Sequence, residues 1–92
     1  MKEADAQLEA AVRTLRSYGA RRVLLFGSYL YTPEAAGDID LAVQGIPLRR
    51  LLDADLALYK LLRRSFDLVS REEDPAFFDL IQAEARVLYE EG

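Results

Sequence analysis

Apolar residues at Leu8, Ala11, Val12, Leu15 and Tyr18 recur at the spacing of one helix face. The pattern predicts a helix over residues 4–18, with Gly19 as its C-terminal cap. The period then changes. Val23, Leu24, Leu25 and Phe26 are apolar at consecutive positions, as in a strand buried on both faces. Gly27 and Ser28 end that run. Tyr29, Leu30 and Tyr31 fit a helical turn, and Thr32-Pro33-Glu34 reads as a loop or a new start. A second strand follows over residues 38–43, closed by Gly45 and Pro47.

Residues 48–64 return to helical spacing. Leu48, Leu51, Leu52, Leu56, Tyr59 and Leu62 share one broad face, widened by Leu58 and Leu61, which predicts a well-buried helix. Asp53 and Asp55 fall early in it and Arg63 and Arg64 late, as the helix dipole favours. Residues 65–70 predict a third strand. Asp74-Pro75 is a helix start, with Asp as N-cap and Pro at the first helical position, and Phe77, Phe78, Ile81 and Ala85 form the apolar side. Residues 86–90 fit either a continuation of that helix or a short strand. The elements imply an α+β fold in a single domain over residues 1–92, with one sheet of three or four strands covered by helices.

Composition narrows the chemistry. The chain has 92 residues and no apolar run near the roughly 18–20 needed to span a membrane. Its first residues, Met1-Lys2-Glu3-Ala4-Asp5, do not resemble a secretory signal, so a cytoplasmic location is expected. Cysteine and histidine are both absent. A metal must then be held by oxygen ligands, which points to Mg²⁺ or Mn²⁺, and base catalysis falls to a carboxylate. The net charge of −4 argues against direct binding of a nucleic-acid backbone.

Three carboxylates stand out against apolar strands. Asp38 and Asp40 project to one face of the second strand, because strand side chains alternate with a period of two. Two such carboxylates repel unless a cation lies between them. The alternative is an exposed strand with one wet face. Asp67 repeats the pattern in the third strand, where its alternative is an ordinary strand-edge residue. If those strands are neighbours, all three carboxylates converge, as in sites that bind two divalent ions for phosphoryl displacement. Upstream, Gly27 lets backbone N–H groups approach an anion closely and Ser28 adds a hydroxyl donor, although most Gly-Ser pairs are plain turns.

In this order, Phe26-Gly27-Ser28, then Asp38-Ile39-Asp40-Leu41, then Phe66-Asp67-Leu68-Val69, the chain resembles the minimal nucleotidyltransferases of the DNA polymerase β-like superfamily. The ending Glu84-Ala85-Arg86-Val87-Leu88-Tyr89-Glu90 is similar to that family's C-terminus. The resemblance implies a small mixed sheet flanked by helices, in a polymerase β palm-like fold. It implies that Gly27 and Ser28 hold the triphosphate of ATP, that Asp38 and Asp40 ligate Mg²⁺, and that Asp67 ligates metal and assists the nucleophile. The reaction it implies is transfer of AMP to a hydroxyl with release of pyrophosphate. Members of the family commonly pair with an all-helical HEPN-domain toxin, acting as its antitoxin and adenylylating one of its tyrosines.

The chain departs from the family pattern in one region. The family places an arginine shortly after Gly-Ser, whereas no arginine lies between Ser28 and Asp38 here. Arg22, Arg49, Arg63 and Arg64 are the candidate substitutes for its charge, with a solvated surface role as their alternative. Gly37 stands where the family has serine. No further domain for an acceptor is evident, so the acceptor is expected from a partner's surface or a second subunit, with Tyr29, Leu30 and Tyr31 either contacting it or packing their own turn. A second reading follows from the missing arginine: a weak or inactive binding module that neutralises a HEPN partner by contact alone.

Overall fold

The computed structural model describes residues 3–33, 37–62 and 64–91. Residues 34–36 and Arg63 lie outside the described residues. Helix α1 (Glu3–Ser17) leads through Gly19, whose φ of 114° suits a residue without Cβ, into strand β1 (Arg22–Phe26). The helix ends in a paired turn, with Ala20 N–H donating to Leu15 O and Gly19 N–H to Arg16 O, both at 3.0 Å. A single helical turn, α2 (Ser28–Tyr31), follows Gly27. Strand β2 (Ile39–Gln44), helix α3 (Leu48–Leu62), strand β3 (Phe66–Ser70), helix α4 (Pro75–Gln82) and strand β4 (Arg86–Glu90) complete the chain. The C-terminal segment that periodicity left open is therefore a strand.

The four strands form one mixed sheet in the order β3-β2-β1-β4. β1 is antiparallel to both β2 and β4, while β2 and β3 are parallel and are joined through α3. This is a small α+β fold. The central position of β1 explains its unbroken apolar run: Val23, Leu24 and Leu25 are all buried, with alternate side chains entering opposite layers. On one face α1 and α3 close over Val23, Leu25, Ile39, Leu41 and Val43, using Leu8, Ala11, Leu15, Ala54, Leu58 and Leu62. On the other, α4 presses Phe78 against Leu24 and Ala42, with Phe26, Val69 and Ile81 around them. Asp74 caps α4 as expected, its Oδ1 accepting from Phe77 N–H at 3.1 Å.

Helix α3 corrects the sequence reading in two ways. Its buried side is Ala54, Leu58 and Leu62, whereas Leu48, Leu52, Leu56 and Tyr59, expected inside, are 49–71% exposed. The apolar arc exceeds half the helix circumference, so spacing could not say which side would face the sheet. Ala54 settles it physically, since a small side chain lets the helix approach the strands closely. The acids Asp53 and Asp55 fall beyond the first turn, and the basic residue of the last turn is Lys60. Among the described residues no helix is long and apolar enough to cross a membrane.

Candidate functional site

Three chain reversals meet at one end of the sheet: the end of β1, the start of β2 and the start of β3. In the strand register Phe26 lies opposite Asp40, and Asp40 lies opposite Asp67. Residues in register across a sheet share a face. Phe26, Asp40 and Asp67 therefore form one row on the face that α4 covers. That helix reaches only part of the face. Phe77 meets Phe26 edge-on, with ring centroids 6.1 Å apart, and beyond that contact Asp40 is half-buried and Asp67 exposed.

The structure brings Asp40 and Asp67 together as adjacent residues of two parallel strands. Asp38 differs slightly from expectation, lying just before β2 rather than within it, and is exposed. It is still close enough to act on Asp40. The Asp40 carboxyl titrates above its ordinary value of 3.8, first because burial disfavours its charge, then through repulsion by Asp67 and by Asp38, and through a side-chain hydrogen bond with Asp67. Among the described residues no three acidic side chains are gathered into a ready-made metal group. Burial and like-charge repulsion disfavour a closer approach of these carboxylates without a cation between them.

Gly27 connects this row to the turn before α2. Its φ is 79°, a region that L side chains rarely adopt. A Cβ at this position would overlap Asp40 Oδ2 and stand 3.0 Å from Asp40 Cγ. Glycine is needed here twice, for the backbone angle and for the direct packing of turn against carboxylate. Ser28 begins α2 and is exposed. No side chain caps this turn at Gly27. Of the three residues that follow, Tyr29 is core, with its ring 5.2 Å from the Arg64 guanidinium carbon, and Leu30 packs against the same core. Their role is local packing. Tyr31 is 68% exposed.

A cavity of about 760 Å³ opens on the β3 side of the carboxylates. Asp38, Asp67, Ser65, Tyr59, Lys60 and Arg64 are among its lining residues. Lys60 and Arg64 bring positive charge to a cavity that also holds Asp38 and Asp67. Of the candidate replacement cations, Arg64 is at this site. Arg22 is at the opposite end of β1, where its Nη1 donates to Gln82 Oε1 at 2.7 Å and its Nε stands 3.6 Å from Glu90. Arg49 is exposed near the start of α3, distant from the cavity-lining end of that helix. Lys60 and Tyr59 were not singled out by sequence reasoning. The available signal was their place at the end of the helix that immediately precedes the Asp67 strand.

The donor set fits a hard divalent cation. It consists of carboxylate oxygens, two of them solvent-facing, in a chain without histidine or cysteine. No protein-family model, curated protein or solved structure matches this chain.

Proposed function

We propose that this chain is a minimal nucleotidyltransferase that transfers AMP from ATP to a hydroxyl. The observation that carries the reading is the placement of Asp40 beside Asp67 with Gly27 packed directly on the Asp40 carboxylate. In this reading the Gly27 turn and the carboxylate row are parts of one site. In this reading Asp38, Asp40 and Asp67 hold Mg²⁺, with Mn²⁺ as a workable substitute. When bound, the metal supplies neutralisation of charge on the phosphates and on the three carboxylates. Asp40's raised affinity for a proton supports the assignment, because a carboxylate whose charge is disfavoured by burial and then by neighbouring acids gains most from a cation.

The chain's own groups divide the remaining work. The Gly27 turn and the Ser28 hydroxyl orient the triphosphate. Asp67, exposed at the cavity, receives the proton of the acceptor hydroxyl. The acceptor oxygen bonds to the α-phosphorus, the bond from that phosphorus to the bridging oxygen of pyrophosphate breaks, and pyrophosphate departs. In this reading Lys60 and Arg64, which line the cavity with Asp38, Asp55 and Asp67, supply the positive charge that the α2 turn lacks. The acceptor in this reading is a tyrosine of a HEPN-domain toxin, and the chain is its antitoxin.

The test is incubation with α-labelled ATP, Mg²⁺ and a cognate HEPN-domain protein. Label on the helical partner is the expected result, and absence of label from every protein in a folded sample overturns the transferase reading. A second reading, neutralisation by contact alone, draws on the lack of a cation in α2. An Asp38→Ala/Asp40→Ala variant that still binds the partner separates them: contact alone requires retained neutralisation, and transfer requires its loss.

A further inference from the structure

The cavity beside the carboxylates contains hydroxyls that belong to the chain itself. Tyr59 and Ser65 line it together with Asp38 and Asp67. Tyr59 is 71% exposed, in the last turns of α3, and its side chain forms part of the cavity wall. Ser65 is held closer to the backbone, and its carbonyl oxygen accepts from Ile39 N–H at 3.1 Å in the join between β2 and β3. A phenol is also the more acidic group, with an ordinary pKa of about 10. The other tyrosines are elsewhere. Tyr18 is stacked under Arg50, Tyr89 under Arg16, and Tyr29 is buried. Tyr31 is as exposed as Tyr59 but does not line this cavity.

We propose that Tyr59 is a site of self-adenylylation in cis. The proposal rests on the transferase reading above, and concerns which acceptor the site meets first. The Tyr59 Oη bonds to the α-phosphorus of ATP, the bond to the pyrophosphate oxygen breaks, pyrophosphate leaves, and the phenolic proton passes to Asp67 and on to water. The product would lie in the cavity that Lys60 and Arg64 line together with Asp38, Asp55 and Asp67. It also fills the space through which an external hydroxyl would reach Asp67. Self-modification would thus compete with, and then block, transfer to a partner.

The experiment uses the intact chain with Mg²⁺ and ATP and no partner protein, read by intact mass, by peptide mapping and, separately, by calorimetric titration of Mg-ATP. The expected result is one added adenylyl group on Tyr59, with a rate constant unchanged on dilution of the protein. Tyr59→Phe loses the modification completely while still binding Mg-ATP, and Tyr31→Phe is modified like the wild type. A wild-type chain that binds Mg-ATP but stays unmodified, or carries AMP elsewhere, overturns the proposal and leaves the transferase reading standing. Transfer to an Asp40→Asn chain mixed with wild type overturns the cis assignment. A chain that binds no Mg-ATP removes the transferase reading, and this proposal with it.

Discussion

The two faces of the sheet are built from the same strands and have opposite designs. Toward α1 and α3, the side chains of Val23, Leu25, Ile39, Leu41 and Val43 are sealed, each at most 2% exposed. Toward α4, the alternate positions begin as a small core of Leu24 and Ala42 under Phe78, and end as the row Phe26, Asp40 and Asp67. The short α4 helix stops short of covering that row. One face therefore supplies most of the hydrophobic stabilisation, and the other can carry like charges at close range because it is not also asked to hold the fold together. Alternation along a strand makes the division possible within two residues.

Substitution tests this division from both sides, and the largest effect is expected on the open face. In the proposed transferase, Asp40→Asn should lower AMP transfer by at least about 10³-fold, or about 4 kcal/mol of transition-state stabilisation. Thermal unfolding at neutral pH should show its stability equal to or above wild type, because the change removes a carboxylate crowded by Asp38 and Asp67. Leu41→Ala, one residue along the same strand, should behave in the opposite way. It deletes buried volume from the sealed face and should cost about 2–5 kcal/mol in denaturant unfolding. Under the same proposal, the fraction that remains folded should transfer AMP at the wild-type rate. If Leu41→Ala lowered the specific rate of folded protein, or Asp40→Asn unfolded the chain, the two faces would not be separable.

Acid titration offers a smaller effect with a definite sign. Asp40 has a folded-state pKa above its ordinary 3.8. Between those two values the native state keeps a proton that the unfolded chain has lost, so stability falls as pH rises through that window. The contribution is fully present below the ordinary value and is lost once the pH passes the folded value. Subtracting the pH–stability curve of Asp40→Asn from that of wild type should isolate this fall, since other carboxylates contribute to both. A difference that rises with pH would mean that Asp40 is stabilised as an anion and would contradict the crowded-carboxylate account. Added Mg²⁺ should abolish the difference if it binds this group.

Much of this arrangement was legible in the sequence because it depends on local rules. The consecutive apolar run at 23–26 could only suit an interior strand, Gly27 had to break it, and the Asp74-Pro75 pair had to start a helix. Parity placed Asp40 and Asp67 on polar faces of their strands, and the parallel register then made them neighbours. Other features depend on packing between distant segments. The strand at 86–90 exists because β1 has an open edge for it to pair with. The cavity with Tyr59 and Lys60 forms only where the end of α3 passes the start of β3. The mistaken face of α3 has the same origin, since its apolar residues surround more than half of the helix and the sheet selects among them.

That selection is open to the mildest of these tests. Within α3, Leu52 and Leu58 are the same residue type in the same helix, but Leu58 is fully buried and Leu52 is 69% exposed. Leu58→Ala therefore belongs with Leu41→Ala in cost. Leu52→Ala retains helix propensity almost unchanged and removes little area from contact, so its effect on the unfolding free energy should lie within about ±0.5 kcal/mol. The pair thus measures burial with chemistry and secondary structure held constant. A cost of about 2 kcal/mol or more at Leu52, measured at a protein concentration low enough to exclude self-association, would mean that the exposed stripe of Leu48, Leu52, Leu56 and Tyr59 is packed in the folded chain, and that the face of α3 first read from the sequence was the right one.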